Sequence, residues 1–418
     1  MDNFFDLCII GGGPGGIAAA QAASSAGLSV ALIEKYQLGG TCLNRGCVVT
    51  QKLFFAGKEL NFPPDTQHYH RNLAETQKLL DQLRNQKRLL LEMSGITIFA
   101  GTGYFIDERR IAVSGVDGVK YLSYRYAVIS PGRSDAIPLP ESFYTPANLL
   151  AKPRPHQKLV IVGGGVSGCE FAWIFHKYGH QVVLVEAQEE ILPNWERDCV
   201  NYLKNCFTAS GIAIHCRTTL EQYQTQSPTA SEEKHSVFWS CNNLIDLAPL
   251  HLERVPEISQ IIRNAPPCPN DHLQLADNVY LIGDAGNACS TAHEAERQGN
   301  YAVKNILFPD NPAYHPDCQQ IIYADPELIT GGKLTGCVIR LNLSKFLSRQ
   351  LQADTGGILK LYFDGHTQIL HGYCGAGKNL SELQTFLHNA LLNKLNRRKI
   401  RQITVPHLSD CNSLQMLL

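Results

Sequence analysis

The segment Gly39 to Cys47, GGTCLNRGC, holds two cysteines, Cys42 and Cys47, in a glycine-rich stretch. Two thiols that can meet can form and break a disulfide, which is two-electron chemistry. The residues that follow, Val48 to Gly57, read as the opening of a helix. A thiol at a helix N-terminus has its thiolate favoured by the dipole and the free N–H groups. The competing reading is that both cysteines are small buried hydrophobes, the common role of free cysteine in an intracellular protein. The glycines and Asn44 are expected to let the segment bend freely.

The elements that must position this pair begin with Phe5 to Ile10, a short apolar run that reads as a buried parallel strand. It leads into Gly11-Gly12-Gly13-Pro14-Gly15-Gly16 and the alanine-rich helix Ile17 to Ala26. Gly11, Gly13 and Gly16 fit G-x-G-x-x-G. The first permits a tight turn, the second lets backbone approach a pyrophosphate, and the third lets helix pack on strand. The phosphate then sits on the helix N-terminus. A second strand, Ser29 to Ile33, ends in Glu34, placed to accept hydrogen bonds from a ribose.

The same unit recurs. Leu159 to Val162 leads into Gly163-Gly164-Gly165-Val166-Ser167-Gly168, a helix through Tyr178, and a strand Val182 to Val185 ending in Glu186. Gly163, Gly165 and Gly168 repeat the fingerprint, and two dinucleotide sites in one chain imply two nucleotides that exchange electrons. A carboxylate at Glu186 would repel a ribose 2'-phosphate, which favours NADH over NADPH.

The chain has 418 residues, enough for two or three domains, and a formal net charge of -1 with Lys and Arg scattered along it. That balance gives no support for nucleic acid or an anionic membrane as a partner. The start, MDNFFDLCIIGGG, leaves no room for a leader before the first motif, and no apolar run is long enough to span a bilayer. A soluble, cytoplasmic protein is expected. The fourteen cysteines lack C-x2-C zinc spacing, so most are expected to be reduced packing residues.

Gln77 to Ser94 reads as an amphipathic helix, Ile96 to Val119 as short strands with turns, and Tyr126 to Ile129 as a strand leading to Ser130-Pro131-Gly132-Arg133. A connector with prolines at 138, 140, 146, 153 and 155 reads as a domain boundary. Gln222 to Lys234 is polar and reads as a surface loop. Val279 to Ile282 reads as a strand ending in Gly283-Asp284, with a helix opening at Ala292. The Asp can take a sugar or ribityl hydroxyl, and the helix N-terminus can face phosphate. From Ile321 on, Cys337 to Leu341, Ile358 to Phe363 and Ile369 to Tyr373 read as antiparallel strands and Leu380 to Leu395 as a helix, an α+β domain.

Over nearly its full length the chain resembles the flavoprotein pyridine nucleotide disulfide oxidoreductases (class I), closest in pattern to dihydrolipoamide dehydrogenase. GGTCLNRGC is similar to the family's redox-active disulfide motif, GGGPGG with Glu34 to its FAD fingerprint, and GGGVSGCE with VEAQEEILP to its NADH fingerprint. LIGDAGN and AHEAERQG resemble the second FAD motif, and ADPE near Asp325 to Glu327 the start of the dimerisation domain. The resemblance implies that the nicotinamide reduces FAD and the flavin reduces the Cys42–Cys47 disulfide. Cys47 then faces the flavin and Cys42 exchanges with substrate. It further places Gly40, Thr41, Gln51, Gly132, Glu170, Gly283, Asp284 and Ala292 at the cofactors.

Three departures stand out. Where the family has Pro, Ser and Lys after the second cysteine, this chain has Val49, Thr50 and Gln51. The lysine that would pair with Glu170 is missing, so Glu170 is expected to be unpaired or protonated, or else to take a hydrogen bond from Gln51. Where the family has a strand ending in Gly-Arg-x-Pro-Asn, this chain has VFWSCNN over Val237 to Asn243 and then IDLAPLHLERVP, which predicts either weakened NADH binding or a scaffold domain whose nucleotide site has decayed. At the C-terminus the family's His-Pro-Thr-Leu-Ser-Glu becomes Val405-Pro406-His407-Leu408-Ser409-Asp410. The base is thereby replaced by Val405, and His407, oriented by Asp410, is the candidate substitute.

The expected fold is α/β, with two doubly wound Rossmann-like nucleotide-binding domains plus a C-terminal α+β dimerisation domain. The expected boundaries are 1–151 and 272–317 for the FAD domain, 152–271 for the NAD(H) domain and 318–418 for dimerisation. The expected function is an FAD-dependent disulfide/dithiol oxidoreductase using FAD and NAD(H), a homodimer with a shared active site, acting on a small-molecule or carrier-bound disulfide or dithiol. The alternatives are a flavin-dependent thiol oxidase that passes electrons to oxygen, and a non-catalytic FAD-binding scaffold. Intact Cys42 and Cys47 speak against the scaffold.

Overall fold

The computed structural model describes residues 3–60, 66–133, 138–152, 154–226, 235–241, 245–262, 267–286, 290–354 and 356–418. They form two compact units. One comprises Met1–Val49, Leu73–Leu139 and Asn242–Pro316, the other Thr50–Asn72, Pro140–Cys241 and Asp317–Leu418.

The first unit is built on a sheet in the order Gln274–Ala276, Val279–Leu281, Gly118–Ile129, Asn3–Ile10, Val30–Glu34, Thr97–Ala100. All neighbours in this path are parallel except the first pair. Strands Thr102–Phe105 and Arg110–Gly115 form an antiparallel flap on Gly118–Ile129. Alternating residues of the central strands are buried on both faces, as a parallel sheet covered on both sides requires. Leu7, Ile9, Val30 and Leu32 pack under helix Pro14–Ser25 through Ile17, Ala20 and Ala23. Cys8, Ile10, Ala31 and Ile33 pack the opposite way, against Phe105 and Val113.

That second face is closed by Leu250, Leu252, Val255 and Ile258. The segment 245–262, placed by sequence in the NAD(H) domain, therefore belongs to the core of the first unit. Its apolar residues complete the underside of the first sheet, a tertiary demand that local patterning does not reveal.

In the second unit a parallel sheet runs His235–Trp239, Lys158–Val162, Gln181–Val185, Ala213–His215, with helix Val166–Lys177 following its first Gly-rich turn. This sheet is shorter than its counterpart. In the first unit the antiparallel flap separates the edge strand from the return strand, whereas here helix Leu220–Gln226 takes that place. The loop expected over Gln222 to Lys234 is thus helical up to Gln226, because Leu220 and Tyr223 bury one face against Val160 and Val162. Residues 227–234 lie outside the described residues.

The same unit carries an antiparallel sheet, in the order Gln320–Ile322, Glu327–Gly332, Leu370–Gly377, Ile358–Phe363, Cys337–Asn342. Helix Ser381–Leu392 packs on it through Leu383, Leu387 and Ala390. The expected helix from Gln77 begins earlier, at Thr66, and runs to Met93. Its buried face includes Asn72 and Thr76, polar residues where the apolar pattern lapses. Among the described residues no helix is long and apolar enough to cross a membrane.

Helices Pro14–Ser25 and Ala292–Leu307 approach so closely that a Cβ on Gly299 would lie 2.3 Å from the Gly15 carbonyl oxygen. Gly299→Ala is expected to cost about 1–3 kcal/mol by overpacking, read as a lower melting temperature of the purified protein.

Candidate active site

The two glycine turns are built alike. A Cβ on Gly16 would sit 1.9 Å from the Gly11 carbonyl oxygen, and one on Gly168 1.8 Å from that of Gly163. Gly11 and Gly163 have φ of +109° and +101°, in the region glycine reaches without strain. The acids complete the pattern. Glu34 accepts from the Gly12 N–H at 2.7 Å and the Tyr36 N–H at 2.7 Å, and Glu186 from Gly164 at 2.6 Å and Gln188 at 2.7 Å. Both carboxylates therefore lock the turns in addition to standing at the strand ends.

The cradles fit the pyrophosphates expected of them. Gly13 and Gly165 are the N-caps of their helices and offer no side-chain cap, so the first-turn N–H groups stay available to an anion. A Cβ on Gly13 would meet only the Gly40 Cα at 3.9 Å, and one on Gly165 nothing within 4 Å. Room for backbone approach is present at both. In the second copy Ser240 and Cys241 follow the return strand and donate to the Val162 carbonyl at 2.7 and 3.1 Å. They stand where Gly-Arg was missed, while Asn242 and Asn243 lie outside the described residues.

Gly39 and Gly40 carry the chain past the first cradle at φ of +96° and +56°, Gly40 so near Gly13 that a Cβ would lie 2.8 Å from its Cα. Helix Gly40–Asn44 follows, with Thr41 exposed and Cys42 half-buried, and helix Cys47–Lys58 begins at the second cysteine. The segment does not bend freely. Asn44 Nδ2 donates to the carbonyls of Gly40 at 2.9 Å, Leu38 at 3.1 Å and Gln37 at 3.3 Å, pinning the loop from within.

The pinned loop brings the sulfurs into hydrogen-bonding contact, with Cys42 the donor. That bond lowers the Cys47 thiol to about 7, aided by the backbone N–H at the helix start and opposed by burial. The same contact, with burial, pushes the Cys42 thiol up. Asp284 and Glu296 bear on Cys47 and Lys87 on Cys42, so the FAD motifs and the thiols share one neighbourhood.

Asp284 is itself raised by burial, with the Arg133 guanidinium 3.8 Å away opposing the shift. The Gly283 N–H is held by Gln298 Oε1 at 2.7 Å. Gln298 in turn is steadied by Glu294, fully buried and bonded to Arg297 and Tyr314. The spacing of Glu294, Arg297 and Gln298 on one helix was the signal for this support. Ala292 opens that helix without a side-chain cap, and Gly132, at φ of +68°, has open space beside it.

In the second unit Gln51 is half-buried in helix Cys47–Lys58. Glu170 does not lack a partner, because it accepts from the Tyr323 N–H at 3.0 Å. His407 is exposed. Asp410 is already engaged: Oδ1 accepts from Ser348 at 2.5 Å and Oδ2 from Arg349 Nε at 2.8 Å. Arg349 has a side chain only 2% exposed, so its charge must be paired, and the carboxylate is committed to that task.

The Pyridine nucleotide-disulphide oxidoreductase profile matches residues 5–247, and the chain belongs to that family. It is accordingly an FAD-dependent oxidoreductase that acts on a sulfur group and uses NAD(H). Among its relatives, the dihydrolipoyl dehydrogenase of Chlamydia trachomatis is 26% identical over 94% of this chain and 92% of that enzyme. That of Bacillus subtilis is 28% identical over 77% of this chain and 76% of that enzyme. Two solved structures share the fold. LpdA from Mycobacterium tuberculosis has a TM-score of 0.86 at 20% identity, covering 99% of this chain and 98% of that one. The HOCl-induced flavoprotein disulfide reductase RclA from Escherichia coli has 0.83 at 21%, covering 98% of each.

Two outcomes follow. The alkylation rate of Cys47 in the reduced protein should rise through a pKa near 7, and Cys42→Ala should move that pKa up toward the ordinary thiol value of about 8.5 by removing the donor. Iodoacetamide labelling against pH reads it. Asp410→Ala should cost about 2–4 kcal/mol in urea unfolding, since it strips one of the acids that pair the buried Arg349.

Proposed function

We propose that the enzyme passes electron pairs between NAD(H) and a small-molecule or carrier-bound disulfide through Cys42 and Cys47. The observation that carries this reading is the contact between the Cys42 and Cys47 side chains beside the first nucleotide cradle, where Gly40 lies against Gly13. FAD, when bound there, would supply hydride exchange with the nicotinamide, which no side chain of the protein provides.

In the reducing direction Cys42, once its proton is removed, attacks one sulfur of the substrate disulfide and releases the first thiol after that group takes up a proton. Cys47 then attacks the Cys42 sulfur of the mixed disulfide, the second thiol leaves as it gains a proton, and Cys42–Cys47 is left oxidised. One substrate disulfide, two electrons and two protons give two thiols, and NADH is the source of the electron pair. The division of labour suits the two pKa shifts. Cys47 is the thiol whose ionisation is favoured, whereas Cys42 holds its proton and needs a base.

The chain is read as a cytoplasmic homodimer in which His407 of the opposite subunit serves as that base, since an imidazole is the side chain matched to neutral pH and Val405 cannot act. With Asp410 committed to Arg349, His407 works here without that acid.

Purified protein should be yellow with bound FAD, and Gly13→Val should abolish uptake by placing a side chain at the pyrophosphate. Cys42→Ser should lower NADH-dependent disulfide reduction by about 10³-fold or more while leaving bound FAD unchanged. His407→Ala should lower it by about 10²-fold. A steady-state assay over a panel of disulfides, with light scattering for the dimer, decides the matter. Full turnover by Cys42→Ser would overturn the reading.

A further inference from the structure

Away from the redox pair, helix Arg197–Ser210 starts with Glu196 as its N-cap, its carboxylate accepting from the Asp198 and Cys199 N–H groups. Glu196 and Cys199, three residues apart, lie on one face of that first turn. Facing them is Cys374, in the middle of strand Leu370–Gly377. The two sulfurs and a carboxylate oxygen all lie within 4.8 Å of one another, and both cysteines are wholly buried. Tyr362 Oη stands 3.9 Å from the Cys374 sulfur.

We propose that Glu196, Cys199 and Cys374 form a structural site for a thiophilic divalent cation, Zn(II), that clamps helix Arg197–Ser210 to the C-terminal sheet.

Two thiols turned toward a carboxylate make poor packing and a good donor set. Packing cysteines sit against apolar neighbours, whereas this pair shares its pocket with a carboxylate and an ammonium. Lys360 Nζ lies 2.6 Å from Glu196 Oε1 and also pairs with Asp198. Thiolate ligands select Zn(II) over Mg(II) or Ca(II), and carboxylate oxygen is an accepted third donor. Bonds of about 2.3 Å to sulfur and about 2.0–2.2 Å to oxygen put tetrahedral ligand atoms about 3.5–3.8 Å apart. The ligand atoms start within 4.8 Å of one another, so the cluster must draw in on binding. A fourth position is left for Tyr362 or water.

The charge balance favours a divalent ion. Zn(II) displaces two thiol protons, which leave to solvent, so the net charge of the buried cluster does not change on loading. Lys360 keeps Asp198 as its partner if Glu196 turns toward the metal.

The Cys42–Cys47 pair would also trap zinc, so the test uses FAD-loaded protein carrying Cys42→Ser and Cys47→Ser. After dialysis against chelator and then Zn(II), metal is counted by mass spectrometry and stability by thermal melting. The protein should hold one Zn(II) per chain and melt several degrees higher with it. Adding Cys199→Ser or, separately, Cys374→Ser should abolish both effects with FAD retained, and Glu196→Gln should weaken binding. Two positions are tested so that misfolding of one variant leaves the other to decide. Failure to retain zinc, retention that survives both cysteine substitutions, or a Cys199–Cys374 disulfide in peptide maps of the isolated protein would overturn the proposal.

Discussion

The constraint on which the rest depends is a backbone contact that only glycine permits. Helix Pro14–Ser25 starts against the turn it leaves, with Gly16 so close to the Gly11 carbonyl that a Cβ has no room. Gly168 repeats this against Gly163. Because the helix can start there, its free N–H groups point at one place, and the strand-end acid can reach back to fasten the turn. The first cradle then fixes where the next loop must pass, since Gly40 lies against Gly13. Cysteine placement is thus a consequence of how the nucleotide turn is packed.

On that frame the proposed chemistry uses an asymmetry between two like residues. Cys47 begins a helix and receives a hydrogen bond, while Cys42 gives that bond and is disfavoured as an anion. One thiol is ready to be a thiolate near pH 7 and the other must be deprotonated to react. A disulfide exchange enzyme needs both roles, an attacking sulfur and a resolving one.

Much of this was legible in the sequence because glycines with no tolerated substitute, strand-end acids and the cysteine pair carry their reasons locally. What was not legible depends on residues distant in the chain. Asn44 looked like a bending residue and instead pins the loop through three carbonyls. Asp410 looked like the orienting acid of a catalytic histidine, yet it answers the charge of buried Arg349, which no motif announces. Residues 250–258 were read by order along the chain, whereas hydrophobic burial assigns them to the first sheet. Glu170, judged by its missing lysine, finds a backbone donor in Tyr323. Backbone groups are obligatory hydrogen-bonding partners that a side-chain motif never shows.

If Cys42 and Cys47 are the redox centre, NADH must reduce the disulfide between them. The most direct measurement adds NADH anaerobically to the oxidised holoenzyme, quenches with an alkylating reagent, and maps labelled cysteines by peptide mass spectrometry. Labels should appear on Cys42 and Cys47 together, in proportion to NADH added up to one equivalent per chain. Full labelling of both before NADH is added, or NADH oxidation with no label gained at either, would contradict it.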